Sequence, residues 1–173
     1  MRQEQLEEQL QKHHEASFGW ALHCCEHQRE MAQEVLQRTY LMVLDGRAKF
    51  SGRSSFKTFL FAVMRRIAAG ERRKRALLDL RFTGVVGFDS HAANDPSVVD
   101  RMQVQDRNRT LALAVAGLPR RQREVLHLVF YQDCTLEQAA QIMRVSVGSV
   151  RSYYARAKDA LRENLDIGEL RHA

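Results

Sequence analysis

Ser149, Arg151, Ser152, Arg156 and Lys158 recur at a spacing that places them on one side of a helix. Guanidinium groups fork onto guanine, and serine hydroxyls bond to base edges or phosphate, so such a face suits the major groove of duplex DNA. A second cluster lies far upstream, in RAKFSGRSSFKTF at residues 47–59, where Phe50 and Phe56 stand among Arg47, Lys49, Arg53 and Lys57. Aromatic rings interleaved with cations suit stacking on unpaired bases while the backbone is held. A third cluster, HCCEH, sets His23 and His27 four residues apart with Cys24 and Glu26 between them, a spacing two metal ligands on one helix face would have. No second pair completes it, and His13–His14 does not help, so the pair reads as incidental. A zinc enzyme built on it would lack a catalytic constellation, so no enzyme activity, metal, cofactor or small-molecule substrate is expected.

The first cluster needs two short helices to carry it. In LPRRQREVLHLVFYQDCTLEQAAQIMRVSVGSVRSYYARAKDAL, residues 118–161, Thr135 is a good N-cap, and Leu136, Ala139, Ala140 and Met143 follow at helical spacing. The chain turns through Arg144 and Val145, and Ser146 caps a second helix whose apolar stripe is Val147, Val150, Tyr154, Ala157 and Leu161. That is the pattern of a helix-turn-helix. An ordinary helical hairpin with a solvated basic face is the plainer alternative. The double cap and the small Ala139–Ala140 pair, where helices must cross closely, favour DNA.

The rest of the chain is helical in pattern, and no period-two strand appears. Residues 1–12 form a charged lead-in. Helices are expected over about Ala16–His27 and Arg29–Leu44, the latter apolar on two sides and stopped by Asp45–Gly46. After the loop, Ser54 or Ser55 caps a helix with Phe56, Phe59, Leu60, Val63, Met64 and Ile67 as its stripe, ending in ERRKR, with a break or kink expected at Gly70. Thr83–Ser97 reads as a linker, helix resumes over Val98–Ala116, Pro119 starts the next helix with Val125, Leu126, Leu128 and Val129 inward, and DIGELRHA reads as a loose tail. The fold class is therefore all-α: two small helical domains, residues 1–82 and 98–173, joined by a flexible linker at 83–97, the C-terminal one holding the helix-turn-helix.

The bulk numbers agree. A chain of 173 residues with 45% hydrophobic content can bury a core in one domain or two small ones. The net charge of +6 is unevenly spread: −4 over residues 1–46, +9 over 47–82, −3 over 83–106 and +4 over 107–173. Two basic segments separated by an acidic one suit a polyanion contacted at two places. The N-terminus carries no signal-peptide pattern, and no run approaches the ~20 apolar residues of a membrane span, so a cytoplasmic location is expected. Cys24, Cys25 and Cys134 are odd in number without CxxC spacing, which predicts reduced, mostly buried thiols.

The segment from Leu118 onward resembles the fourth conserved domain of bacterial RNA polymerase sigma factors, most closely the extracytoplasmic-function (group IV) type. The likeness lies in the Leu-Pro at the helix start, REVL, Ser-Val-Gly-Ser-Val and the RAKDALR run. AQEVLQRTYLMVL and FSGRSSFKTFLFAVMRRIAAGERRKR resemble that family's polymerase-docking helix and promoter-melting segment. The resemblance covers about Glu15–Arg75 and Arg107–Leu165. It implies that Glu34, Leu36, Gln37, Tyr40 and Leu41 dock on core RNA polymerase. It implies that the Phe50–Ser55 loop, with Arg53 and Ser54, captures a flipped minus-ten base, and that Lys57, Arg65, Arg66, Arg72 and Arg73 hold the flanking strands. For the minus-thirty-five element of promoter DNA it implies Arg144, Ser146, Ser149, Arg151, Ser152, Tyr153 and Arg156. It also implies an anti-sigma factor, membrane-linked in many members. Departures from the family pattern are Arg38 for an acidic residue, Phe59 for Trp, Arg66 for Asn, Gln138 for Glu, Arg144 for the turn glycine and Tyr153 for Arg. A stand-alone helix-turn-helix regulator, binding duplex DNA as a dimer, is the alternative. The upstream basic-aromatic loop argues against it, because a duplex binder has no need of one.

Overall fold

The computed structural model describes residues 3–83 and 102–170; of the expected linker at 83–97, Thr83 is helical and the rest lies outside the described residues. The chain divides into two compact units, one built on residues 1–93 with 141–144 and the other on 94–140 with 145–173. Each is wholly helical among the described residues.

The N-terminal unit contains α1 (Gln3–Lys12), α2 (His14–Cys24), α3 (Arg29–Leu44) and α4 (Phe56–Thr83). Helices α2, α3 and α4 pack on one another, and α1 lies on α2 and α3. From Gln3 the charged lead-in is therefore a helix, held by Leu10, the one buried residue of α1. Helix α2 ends three residues earlier than expected. Glu26 and His27 take left-handed φ of 54° and 62°, and the His27 amide returns to the Leu22 carbonyl at 2.8 Å, closing the helix end. Gly46, at φ 69°, turns the chain out of α3 as expected. Ser55 caps α4 by accepting from the Thr58 amide at 3.1 Å.

The break expected at Gly70 is absent, and α4 runs unbroken to Thr83. A glycine weakens a helix without forbidding it, and here Leu60, Phe61, Met64 and Ala68 are buried just upstream while Glu71 pairs with Arg38 of α3 just downstream. Trp20 and Phe61 are the largest fully buried side chains of this unit's core. Thr39 is fully buried, and its hydroxyl donates back to the Val35 carbonyl at 2.7 Å.

The C-terminal half of the chain contains α5 (Met102–Ala116), α6 (Arg120–Leu126), a π-helical turn (His127–Tyr131), α7 (Leu136–Met143) and α8 (Val147–Leu170). Helices α5 and α6 pack on α8. Leu118, Leu126 and Ala157 form a buried cluster with Tyr154, Ala160 and Leu161 against it, and Val125, Leu128 and Val150 are also buried. Val129 is only half-buried, because the chain widens into the π turn. Residues 166–170, expected to be a loose tail, continue α8.

Thr135 and Gln138 form a reciprocal cap on α7: the Gln138 amide donates to Thr135 Oγ1 at 3.2 Å, and the Thr135 amide donates to Gln138 Oε1 at 2.9 Å. Gln138, which stands where the family pattern has Glu, thus closes the cap. Thr135→Ala should cost about 1 kcal/mol of C-terminal unit stability, measured by urea unfolding of the full chain, with Thr135→Ser near neutral. Equal stability of Ala and Thr variants would refute the cap.

Candidate nucleic-acid interface

The C-terminal site is built on α7, its turn and α8. Arg144 makes the turn with a left-handed φ of 54°, a conformation that costs an arginine about 1–2 kcal/mol. Ser146 then caps α8, accepting from the Ser149 amide at 3.0 Å, and its hydroxyl also meets the Ser149 hydroxyl at 2.9 Å. Helix α8 buries Val150 and Ala157, which leaves Arg151, Ser152, Arg156 and Lys158 exposed together. Tyr153 and Ser149 are half-buried at the margins of that face.

Two further contacts shape this face. Arg151 reaches Glu137 of α7 at 3.6 Å, and Lys158 lies over the Tyr154 ring at 4.7 Å. Glu137 escaped the sequence reading. Its signal was the helix-turn-helix register, which brings the first turn of α7 within reach of Arg151 on α8. Its carboxyl is held below the usual range by a hydrogen bond from its own backbone amide, then by the Thr135 hydroxyl and by Arg151. Phe130 and Tyr131, on the π turn, are the other omission; both are exposed, with Phe130 stacked on Tyr154 and Tyr131 on His127.

The N-terminal site is the loop before α4. Phe50 does not stand free. It is half-buried, edge-on to Phe56 at 5.4 Å and against Phe59 at 5.4 Å, and Phe56 is itself stacked near His13 at 6.2 Å. Burial, then Lys12 and Lys57, lower the pKa of His13, so this ring is neutral near pH 7. Gly52, at φ 74°, bends the loop, and Arg53 is exposed beside the half-buried Ser54. Of the expected strand-holding cations, Arg66 and Arg73 are exposed, Arg65 is half-buried, and Lys57 lies 5.5 Å from the Phe61 ring. Arg72 is half-buried and engaged within the fold. Its guanidinium donates to the Cys24 carbonyl at the end of α2, so it ties α4 to α2.

The docking face of α3 is also redrawn. Glu34 and Gln37 are exposed and Leu41 is 52% exposed, but Leu36 is a core residue at 7%. The stripe that buries Met31, Ala32, Val35 and Val43 takes Leu36 with it. Tyr40 is half-buried, its hydroxyl 3.2 Å from His14 Nδ1 and 3.4 Å from the Leu10 carbonyl. Arg38, the residue of unexpected charge, is paired with Glu71.

The HCCEH segment offers no shared face, because α2 ends at Cys24 and His27 lies in the turn, while His23 stacks on Trp20 at 5.4 Å. Cys24, Cys25 and Cys134 are buried and form no disulfide, and burial pushes the Cys25 thiol up to about 11 against the opposing effect of Arg72 and Arg75. Among the described residues no helix is long and apolar enough to cross a membrane.

Comparison with known families supplies the class. Residues 10–77 match Sigma-70 region 2 and residues 108–161 match Sigma-70 region 4, between them well over half of the chain. The sigma factor SigX of Bacillus subtilis is 28% identical over 141 residues, covering 80% of this chain and 73% of that one. SigC of Mycobacterium tuberculosis is 28% identical over 144 residues, covering 80% and 72%. Among solved structures, the sigma factor RpoE of Bartonella quintana, crystallised with the anti-sigma factor NepR, superposes with a TM-score of 0.73 at 24% identity, over 93% of this chain and 96% of that one. CnrH, solved with the cytosolic domain of CnrY, gives 0.63 at 17%, over 96% and 90%. Region 2 followed by region 4 is the arrangement of a DNA-binding transcription initiation factor. The chain belongs to the extracytoplasmic-function group of the sigma-70 family, the alternative sigma factors that direct promoter-specific transcription.

Proposed function

We propose that α8 reads the minus-thirty-five element through Arg151, Ser152 and Arg156, with Ser146, Ser149 and Tyr153 at the margins. The loop at Phe50–Ser55 captures an unpaired minus-ten base, with Arg53, Lys57, Arg65, Arg66 and Arg73 along the strands. The exposed side of α3, with Glu34, Gln37 and Leu41, docks on core RNA polymerase. In this reading residues 1–82 serve docking and melting, and 98–173 serve minus-thirty-five recognition. The observation that carries it is the doubly capped helix-turn-helix presenting an arginine face, in a chain that also holds region 2. A stand-alone regulator would have no use for that region 2 half.

The chain acts in the cytoplasm, performs no covalent chemistry and needs no cofactor. Catalysis stays with the polymerase, while phosphate contacts supply salt-dependent affinity and base contacts supply discrimination. An anti-sigma factor is the expected inhibitor, supported by the two relatives solved with NepR and CnrY.

The test is to mix the chain with sigma-free core polymerase, recover the complex by size exclusion and transcribe from a randomised promoter pool. Co-elution with selective transcription supports the proposal, and duplex binding without co-elution would move it to the stand-alone regulator. On the promoter so recovered, Arg151→Ala should lose about 1–3 kcal/mol on the preferred minus-thirty-five sequence and much less on base-substituted ones, read by equilibrium titration. An equal loss on every sequence would remove Arg151 from base readout.

A further inference from the structure

Arg144 occupies the turn between α7 and α8 with φ 54°. Glu26, His27 and Asp133 are the other non-glycine residues of positive φ among the described residues. A short aspartate can hydrogen-bond locally and so tolerates this region; a long arginine gains nothing there from its own side chain. Nor does the Arg144 side chain serve the fold visibly. It is exposed, and no ion pair or side-chain hydrogen bond links it to another described residue. Its neighbours hold the turn instead: the Val145 amide bonds to the Ala140 carbonyl at 3.2 Å, and Ser146 caps α8. Arg151, by contrast, is engaged with Glu137 on the face assigned to base readout. A strained backbone position thus carries an idle cation two residues before the cap of the recognition helix, and strain of this kind gathers where function requires it.

We infer that Arg144 is a phosphate clamp. Its guanidinium grips a backbone phosphate beside the minus-thirty-five duplex, and the left-handed turn is retained for that contact. This deepens the proposed role of α8 and rests on it. The contact fixes register and carries no sequence information, which separates Arg144 from Arg151.

The experiment titrates polymerase holoenzyme, formed with the full chain, against the recovered promoter duplex and its minus-thirty-five variants over a range of salt. Arg144→Asn keeps a residue tolerant of positive φ and removes the cation. It should weaken binding on the order of fivefold, equally on all minus-thirty-five variants, and lower the salt slope by about one. Arg144→Gly should show the same loss while raising the unfolding temperature by about 3–6 °C, and Arg144→Lys should recover most of the affinity. A raised unfolding temperature with unchanged affinity and salt slope would overturn the inference, leaving Arg144 a tolerated side chain. A loss that varies with minus-thirty-five sequence would overturn it in favour of base reading. Wild-type binding that ignores the minus-thirty-five sequence would remove the parent reading and this one together, an outcome distinct from the other two because it appears before any substitution.

Discussion

Replacing Trp20 with alanine should remove about 3–5 kcal/mol from the stability of the N-terminal unit. Trp20 is fully buried, stacked on Phe61 at 5.6 Å and on His23 at 5.4 Å, and its indole N–H donates to the Phe61 carbonyl at 3.1 Å. Alanine leaves a large cavity between α2 and α4. Domains are stable by only about 5–15 kcal/mol, so this loss is a substantial fraction of the whole. Trp20→Phe keeps most of the packing and removes the hydrogen bond, and should cost much less than the alanine variant. Urea unfolding followed by circular dichroism measures both. Trp20 is the sole tryptophan, so selectively excited tryptophan fluorescence of the wild type reports this unit alone. A loss below about 1.5 kcal/mol for the alanine variant would show that the core does not depend on it.

A pair of leucines on α3 should separate folding from docking. Leu36→Ala should destabilise the chain by about 2–4 kcal/mol, because Leu36 is buried in the core. Leu41→Ala should change stability by less than about 0.5 kcal/mol, because Leu41 is 52% exposed. It should instead weaken core polymerase binding about tenfold, as an apolar anchor at an interface does. Urea unfolding and size-exclusion titration against core polymerase read the two effects. If Leu41→Ala binds as the wild type does, the exposed side of α3 is not the docking face. If Leu36→Ala leaves stability unchanged, the assignment of Leu36 to the core is wrong.

Trp20 and Leu36 also mark what could be read without coordinates. Helix α3 appears with the bounds its periodicity and the Asp45–Gly46 stop require. The caps at Ser55, Thr135 and Ser146 form as their side-chain chemistry dictates. These features are local: a cap or a left-handed glycine is decided by a few neighbouring residues. Helix class, the helix-turn-helix and the basic-aromatic loop were legible for the same reason.

Other features depend on what packs where. Helix α3 is apolar on more than one side, and only the positions of α1, α2 and α4 assign Leu36 inward and Leu41 outward. Phe50 looked like a free stacking ring, yet Phe56 and Phe59 hold it at its half-buried position. Arg72 looked like one more phosphate contact in a cationic run, but the end of α2 comes within its reach and takes its hydrogen bond. The continuity of α4 through Gly70 depends on packing from neighbouring helices.

By itself, then, the sequence determined an all-helical chain, its caps and turns, and the two basic surfaces, because propensity, capping and charge act over a few residues. The tertiary structure alone decided which apolar side of α3 is buried, which arginines are engaged within the fold, and how Glu137 meets Arg151. Those outcomes depend on residues distant in the chain, whose approach is set by the packing of whole helices.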